Sequence, residues 1–229
     1  MQPYFFPYIG YFQLINAVDI FVVYDNLQYT KRGWINRNKI LHSNEKTDYI
    51  TIPIKKDSSA LNINERYISK DWNIEKNKIK NKLKSSYSKA GFFLEAYQII
   101  QECLDLQNHN LFDFIFESLK KINSHLKIKT HIIKSSQISI DHSLRSVEKV
   151  IAICDFLNAE IYINSIGGRE LYSREYFKSR NIDLKFLKTD TIKYNQNTKN
   201  FHESLSIIDV MMHNSVPEIT KLLNSYNFY

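Results

Sequence analysis

The stretch Asp19-Ile-Phe-Val-Val-Tyr-Asp25 decides the fold, because it is a continuous apolar run that ends in a carboxylate. β-Branched and aromatic residues without alternating polar positions are typical of a strand buried on both faces, as in parallel sheets. The pattern over residues 8–17 predicts a short helix before this strand. In open α/β sheets ligands bind at the carboxyl ends of the strands, where Asp25 would lie. The run therefore predicts a parallel strand with a ligand site at its end.

The segment before this strand, Gln2-Pro-Tyr-Phe-Phe-Pro-Tyr-Ile-Gly-Tyr-Phe12, specifies its backbone shape strongly. Two of the four prolines and two of the five glycines of the chain lie within residues 2–38. Proline fixes φ, and glycine adopts conformations that other residues avoid. We therefore expect residues 2–38 to form the floor and one wall of any active site. The substrate-binding residues that we predict from the first segment are Gln2, Tyr4, Gly10 and Tyr11.

The second half of the chain alternates between strand and helix patterns. Strands are predicted over 127–135, 160–164 and 184–187, with helices over 146–158 and 169–180 between and after them. This β-α-β-α-β order is typical of a parallel sheet with right-handed crossovers. With the first forty residues, it predicts an α/β fold with a Rossmann-like, doubly wound, mostly parallel sheet. Helices over 204–213 and 217–226 close the chain.

A different pattern occupies residues 39–126. Strands over 39–41 and 48–54 flank a polar turn at 42–47, and together they predict a hairpin. A strand over 62–69 and three helices follow, over 71–88, 92–106 and 111–126, with Asn110 as the N-cap of the last. We interpret 39–126 as a hairpin and helical insertion within one α/β domain, since 229 residues suit a single large domain.

The composition argues against an integral membrane protein, a disulfide-rich protein and a metalloprotein. No apolar run approaches the roughly 20 residues that span a bilayer, and no export signal is visible. Cys103 and Cys154 lie far apart in helical patterns, which predicts buried, reduced thiols. His202 and His213 have no third partner at metal-ligand spacing. We therefore expect a cytoplasmic protein without membrane insertion and without a metal.

The net charge of +7 favours anionic partners but does not identify them. Many of the lysines lie between residues 70 and 89. A solvated helix face explains that cluster more economically than a nucleic-acid surface.

The segment Tyr29-Thr-Lys-Arg-Gly-Trp-Ile-Asn-Arg-Asn38 carries most of the candidate binding groups. Its cations suit phosphates or carboxylates, and its aromatic rings can stack on a base or a sugar. A basic surface loop is the alternative interpretation. The predicted site residues are Lys31, with a catalytic role, and Tyr29, Arg32, Trp34, Asn36 and Arg37, which bind substrate.

Two further segments supply candidates for the other half of a site. Gly167 and Gly168 follow a predicted strand and precede a predicted helix, a position where free backbone N–H groups bind anions. We predict that they bind substrate together with Ser165. Asp209 lies in a predicted helix near the C-terminus, and Asp25 or Asp209 is the candidate general base.

Several of these motifs resemble the WbqC-like protein family over nearly the whole chain. The motifs are Met1-Gln-Pro-Tyr-Phe-Phe-Pro-Tyr-Ile-Gly-Tyr-Phe-Gln-Leu-Ile15, Gln28-Tyr-Thr-Lys-Arg-Gly-Trp-Ile-Asn-Arg-Asn38, Asn164-Ser-Ile-Gly-Gly-Arg-Glu-Leu-Tyr172 and Leu205-Ser-Ile-Ile-Asp-Val-Met-Met212. The resemblance implies a role in bacterial surface-polysaccharide (O-antigen) synthesis, with transfer of glycine or another aminoacyl group to a sugar. Family members begin a few residues earlier, so we expect a strand that starts before Met1.

A second resemblance bears on the mechanism. The opening is similar to that of adenylyl-transferring Rossmann-like enzymes, whose His-x-Gly-His motif holds nucleotide phosphates. Here Tyr8-Ile-Gly10-Tyr11 occupies the comparable place. Tyrosine donates a hydrogen bond but is neutral near pH 7, so this departure puts phosphate chemistry in doubt.

The leading hypothesis is a transferase that attaches an acyl or aminoacyl (glycyl) group to a nucleotide-linked amino sugar. The donor would be activated by ATP, carried on charged tRNA or carried on a thioester, and the sequence leaves these open. One alternative is a nucleotidyl- or adenylyl-transferring enzyme. Another is a non-catalytic protein that binds sugar nucleotides.

Overall fold

The computed structural model describes residues 1–42 and 44–229, which form eight α-helices and seven β-strands. In chain order the elements are α1 (Ile9–Asn16), β1 (Ile20–Val23), β2 (Arg37–Leu41), β3 (Thr47–Thr51), α2 (Trp72–Tyr87), α3 (Phe93–Leu104), α4 (Leu111–His125), β4 (His131–Lys134), α5 (Ser146–Phe156), β5 (Ile161–Ser165), α6 (Arg174–Lys178), β6 (Asp183–Thr189), α7 (Ile207–His213), α8 (Val216–Leu223) and β7 (Tyr226–Phe228).

The strands form three small sheets. β1 and β4 are parallel, with Ile20 opposite His131, and β2 and β3 form an antiparallel hairpin. β6 lies between β5, to which it is parallel, and β7, to which it is antiparallel. The α/β class and its parallel strand pairs are confirmed. Within the described residues, however, the strands do not join into the predicted doubly wound sheet.

A groove of about 420 Å³ lies between β1 and β5, which belong to separate sheets. Strand residues Phe21 and Val22 line one side, and Ile161 and Ile163 line the other. At one end of the groove, the Met1 amino group donates a 2.8 Å hydrogen bond to the Val22 carbonyl, and the Met1 carbonyl accepts one of 2.8 Å from the Tyr24 N–H. This is the pattern of parallel strand pairing. The expected strand before Met1 stays a prediction.

The chain buries apolar side chains in two clusters. The larger contains α1, α4, α7 and the hairpin, with Phe12, Phe114 and Ile208 fully buried. Every residue of α7 from Ile207 to Met212 is buried. The smaller cluster joins α5, α6 and β6 through residues such as Phe177. Asn110 is the N-cap of α4, as predicted, because its side chain accepts the Asp113 N–H. None of the described helices is long and apolar enough to cross a membrane.

Three predicted elements are wrong in kind or extent. Residues 62–69, predicted as a strand, contain a 3₁₀ turn (Ile63–Glu65). The turn begins with a capping box, in which the Asn62 N–H donates to the Glu65 side chain. The segment makes only single antiparallel bridges within the described residues. The predicted helix over 169–180 is split, because Ser173 caps a separate short helix, α6, after a 3₁₀ turn (Ile166–Leu171). The predicted last helix ends at Leu223, since the residues after it pair with β6. The predicted turn at 42–47 includes residue 43, which lies outside the described residues.

Candidate functional site

Asp25 lies directly beyond β1, and the residues after β4 surround its carboxylate. Oδ1 accepts hydrogen bonds from Ser135 Oγ at 2.8 Å and from the Ser136 N–H at 2.9 Å. Oδ2 accepts from Ser136 Oγ and, at 3.3 Å, from Asn64 Nδ2. Parallel pairing of β1 and β4 brings the two strand ends together although they are about 110 residues apart in sequence. Asp25 is only 3% exposed.

These donors control the charge of Asp25. Burial alone would raise the pKa of its carboxyl group, but the hydrogen bonds from Ser136 and Ser135 outweigh burial and lower it. Asp25 is therefore ionised near neutral pH, with its oxygens occupied by donors.

Lys149, in the first turn of α5, brings a buried amine to the same place. It is 5% exposed, and its Nζ donates a 3.2 Å hydrogen bond to Asn26 Oδ1 and lies 5.8 Å from the centre of the Tyr24 ring. Asn26 Oδ1 also lies 2.8 Å from Ser135 Oγ, whose one proton it shares with Asp25 Oδ1. Burial lowers the pKa of the Lys149 amine, and the Asp25 charge partly opposes this change. The amine is therefore easier to deprotonate than an exposed lysine. We call Asp25, Asn26, Ser135, Ser136 and Lys149 the strand-end cluster.

Tyr24 connects the strand-end cluster to the segment that follows β5. Burial raises the pKa of its phenol, and nearby Tyr172 and Cys154 raise it further. Tyr172 follows the 3₁₀ turn that contains Gly167 and Gly168, and its ring packs 5.8 Å from that of Tyr162. The structure thus brings the ends of β1 and β5 into one region.

Gly167 and Gly168 have different surroundings within that 3₁₀ turn. A Cβ on Gly168 would lie 2.9 Å from Asn164 Nδ2, whereas one on Gly167 would meet nothing within 4 Å. The Ser165 N–H donates to Asn164 Oδ1. Because the α-helix begins only at Arg174, the glycines do not lie at its N-terminus, which corrects the predicted geometry. Their role in binding stays a prediction.

The predicted binding loop, residues 29–38, lies beside the hairpin. Tyr29 is buried and donates to Asn36 Oδ1 at 2.9 Å, so both side chains support the loop. Arg37 donates to the carbonyls of Gly33 at 3.2 Å and Arg32 at 2.5 Å. Lys31, Arg32 and Trp34 are exposed. No hydrogen bond within the described chain joins this loop to the strand-end cluster.

The first segment is mainly part of the core. Tyr11 is 1% exposed, its hydroxyl donates to the Gln2 carbonyl at 2.9 Å, and its ring lies 5.6 Å from that of Tyr4. Gly10 permits close packing, because a Cβ there would lie 2.8 Å from Thr189 Oγ1. These contacts explain the residue choices structurally, and substrate binding by these four residues stays a prediction.

Asp209 lies in a separate buried network. It is fully buried and accepts from Tyr87 Oη at 2.9 Å, Tyr194 Oη at 2.6 Å and Gln196 Nε2 at 2.9 Å. The Leu41 N–H donates to Tyr87 Oη, which extends the network to the hairpin. Asp25 and Asp209 share no hydrogen-bond partner, so the two candidate bases lie in different clusters.

The strand-end cluster contains residues that the sequence analysis missed. Ser135 ends the strand predicted over 127–135 and Ser136 follows it, the position that drew attention to Asp25. Lys149 interrupts the apolar face of α5 between Val147 and Val150. A lysine at such a position is a recognisable signal, because lysine is rarely buried without a partner. Among the described residues, no three His, Cys, Asp or Glu side chains are placed to hold a metal ion.

Comparison with known proteins gives one family. The model of the WbqC-like protein family matches residues 2–221. The uncharacterized protein Rv1507c of Mycobacterium tuberculosis (strain ATCC 25618 / H37Rv) is 30% identical over 215 residues, which cover 92% of this chain and 90% of the relative. No solved structure matches the chain. Since the family match extends over nearly all of its length, the chain belongs to the WbqC-like protein family.

Proposed function

We propose that the protein is a transferase that attaches an acyl or aminoacyl group, such as glycyl, to a nucleotide-linked amino sugar during synthesis of bacterial surface polysaccharide. The observation that supports the proposal is the buried Lys149 amine beside carboxylate, hydroxyl and amide groups at the ends of two parallel strands. Ligand sites of open α/β sheets occupy this position. A buried amine with a lowered pKa beside a carboxylate is typical of functional sites.

The chemistry needs a group that removes a proton from the acceptor. An amino sugar is largely protonated near neutral pH, and its ammonium cannot attack a carbonyl. The deprotonated form of Lys149, which burial makes easier to reach, takes that proton, and the freed amine forms a bond to the carbonyl carbon of the donor. The bond between that carbon and the leaving group breaks, and its electron pair departs with the leaving group, which also takes up the second proton that the nitrogen loses as the amide forms. This assigns general-base catalysis to Lys149.

The other residues of the cluster position Lys149 and bind the acceptor. Within the described chain, Asn26 is the one hydrogen-bond acceptor for Lys149 Nζ, so the amine keeps further hydrogen-bonding capacity for a substrate. Asp25 has its oxygens occupied by four donors, which favours a positioning role over the role of base. Hydroxyl and amide groups suit the hydroxyls of a sugar.

The acyl donor is the second substrate. An aminoacyl group activated by ATP, carried on tRNA or held as a thioester supplies the leaving group that this reaction requires, and all three are available in the cytoplasm, where we place the protein. Purified protein is incubated with a panel of amino-sugar nucleotides and each donor, and the sugar product is weighed by mass spectrometry. An acylated sugar is the expected product. Its absence with every donor contradicts the proposal.

Two other outcomes identify the alternative functions. Pyrophosphate release from ATP, with a nucleotide added to the sugar, indicates a nucleotidyltransferase. Saturable binding of the sugar nucleotide without turnover of any donor indicates a binding protein.

The Lys149→Met variant tests the assigned base. Methionine fills a similar volume without a buried charge, so the fold should be retained while kcat falls by about 100-fold or more, as expected for loss of a general base. Lys120→Met, which changes an exposed lysine of α4, is the matched control and should keep full activity. A folded Lys149→Met variant with normal kcat rules out this role.

A further inference from the structure

The outer face of the β2–β3 hairpin carries two exposed aromatic rings in contact. The rings of Trp34 and Tyr49 have centroids 6.4 Å apart and are nearly parallel, at 27°, and each residue is 39% exposed. Strand alternation directs Tyr49 away from the core, while its neighbour Ile50 is buried. A single exposed ring is ordinary on a protein surface, but two adjacent rings form a continuous apolar surface that a ligand can cover.

Positive charge surrounds the two rings. The Arg37 guanidinium lies 4.7 Å from the centre of the Tyr49 ring, and Lys39 Nζ lies 5.7 Å from that of Trp34 and 5.8 Å from that of Tyr49. Exposed Lys31 and Arg32 lie in the loop before the hairpin. Within residues 1–42 and 44–229, none of these four cations is in an ion pair with an acidic side chain. We call Trp34, Tyr49 and the four cations the hairpin platform.

The neighbouring lysine-rich helix α2 differs, because acidic side chains neutralise many of its lysines. Lys76 and Lys80 contact Asp105, Lys78 contacts Glu75, and Lys82 contacts Asp48. The helix that draws attention in the sequence therefore contributes less free charge than the hairpin does.

The shape of the hairpin platform indicates the kind of ligand. Small molecules bind in concave sites that cover most of their surface, but neither Trp34 nor Tyr49 lines the groove beside β1 or the second cavity, of about 270 Å³, beside Tyr194. An open aromatic surface flanked by cations matches the way proteins bind single strands, with bases stacked on the rings and phosphates on the cations.

We propose that the hairpin platform binds single-stranded nucleic acid. Bases stack on Trp34 and Tyr49, and Arg37, Lys39, Lys31 and Arg32 contact the phosphates. A duplex does not bind in this way, because its bases are stacked on one another and covered. The inference goes beyond the proposed transferase and does not depend on it. If the donor is a charged tRNA, its unpaired end is a ligand of this chemical class.

Tryptophan fluorescence and fluorescence anisotropy test the proposal directly. The chain has two tryptophans, and Trp72 is 4% exposed, so quenching by a ligand reports mainly on Trp34. Twelve-nucleotide single strands of RNA and of DNA, the matching duplexes and a mononucleotide are titrated at low salt. Either single strand should quench the fluorescence and bind, with affinity falling as salt rises. The two strands show which sugar is preferred.

Variants separate stacking from charge. Trp34→Ala should weaken binding of the single strand by about tenfold or more, and Trp34→Phe by less, since phenylalanine keeps a ring on which a base can stack. Arg37→Ala should weaken binding and reduce its salt dependence. Lys78→Ala, which removes one charge from α2, is the matched control and should bind within about twofold of the original protein. Thermal unfolding confirms that each variant is folded.

Four results overturn the proposal. They are the absence of single-strand binding at low salt, unchanged affinity in a folded Trp34→Ala variant, equal affinity for the duplex, and equal affinity for the mononucleotide. Transfer to the amino sugar from an ATP-activated donor is measured on the same variants. Because that reaction uses the strand-end cluster, its failure and the failure of nucleic-acid binding are observed separately.

Discussion

Asp25 and Asp209 are two buried carboxylates that the chain stabilises in different ways. Asp25 accepts four hydrogen bonds from serine and asparagine groups and lies near a cationic amine, Lys149. Asp209 accepts three, two of them from tyrosine hydroxyls of raised pKa, and no lysine or arginine of the described chain forms an ion pair with it.

This difference predicts a structural role for Asp209 and a chemical role for the surroundings of Asp25. The donors to Asp209 come from α2 and from residues 194–196, so its carboxylate connects elements that are distant in sequence. The donors to Asp25 lie next to an amine whose proton is easily removed. Asp209 also has a titratable neighbour, His213, but burial lowers the pKa of that imidazole despite the nearby carboxylate. A buried carboxylate alone therefore does not indicate a catalytic site, and the kind of titratable neighbour is more informative.

The largest expected effect is the loss of stability on Asp209→Ala. The substitution leaves the hydroxyls of Tyr87 and Tyr194 without their acceptor and removes one acceptor of the Gln196 amide, so the free energy of unfolding should fall by about 3–5 kcal/mol. Urea unfolding followed by circular dichroism measures the change. Asp155→Ala, on the exposed side of α5, is the control and should change stability by less than about 0.5 kcal/mol. A cost below about 1 kcal/mol for Asp209→Ala means that the network is not structural.

Asp25→Asn should have a smaller effect on stability and a characteristic dependence on pH. Its amide nitrogen replaces one acceptor oxygen, which should cost about 1–3 kcal/mol at neutral pH. The pKa of Asp25 is lowered in the folded protein, so its contribution to stability is present above the ordinary value of 3.8 and is lost as pH falls through the lowered pKa. The difference between the two proteins should therefore shrink in strong acid. A difference that stays constant through the acid range contradicts the assigned hydrogen bonds.

The same variant tests whether Asp25 acts through Lys149. The Asp25 charge favours the ammonium form, so its removal should lower the pKa of Lys149 further. The rate of transfer should rise with pH until Lys149 is neutral, and in Asp25→Asn this rise should move to lower pH. Profiles of kcat/KM against pH for both proteins measure the shift. An unchanged profile rules out electrostatic coupling between the two residues during the reaction.

The sequence predicts most of the helices and strands, but fewer of the long-range contacts that join them. Periodicity identifies α5 and β1, because each buries side chains in a regular pattern. It cannot show that β1 pairs with β4, or that Ser135 reaches Asp25 across 110 residues, because those contacts depend on packing of the whole chain. The prediction of one doubly wound sheet is not confirmed for the same reason, since local patterns do not specify which strand edges meet.

Polar groups away from solvent account for the two other features that the sequence analysis missed, which are Lys149 and the turn at residues 62–69. Lys149 lies on the apolar face of a well-formed helix, and the helical pattern conceals it. Residues 62–69 pair most of their backbone N–H groups with scattered backbone carbonyls, such as those of Leu27 and His109, and the Asn62 N–H with the Glu65 side chain. They therefore form a turn where the apolar spacing predicts a strand.

The smallest effects compare the loss of a single donor from each carboxylate. Tyr194→Phe leaves Asp209 with two side-chain donors, whereas Ser136→Ala leaves Asp25 with the Ser136 N–H, Ser135 and Asn64. Because fewer donors remain at Asp209, Tyr194→Phe should cost about 2 kcal/mol and Ser136→Ala about 1 kcal/mol or less. Unfolding in urea at pH 7 measures both. Equal costs would mean that the number of remaining donors does not determine how a buried carboxylate tolerates a lost partner. The nearby Lys149 amine, rather than the number of hydrogen bonds, would then be the difference between the two sites.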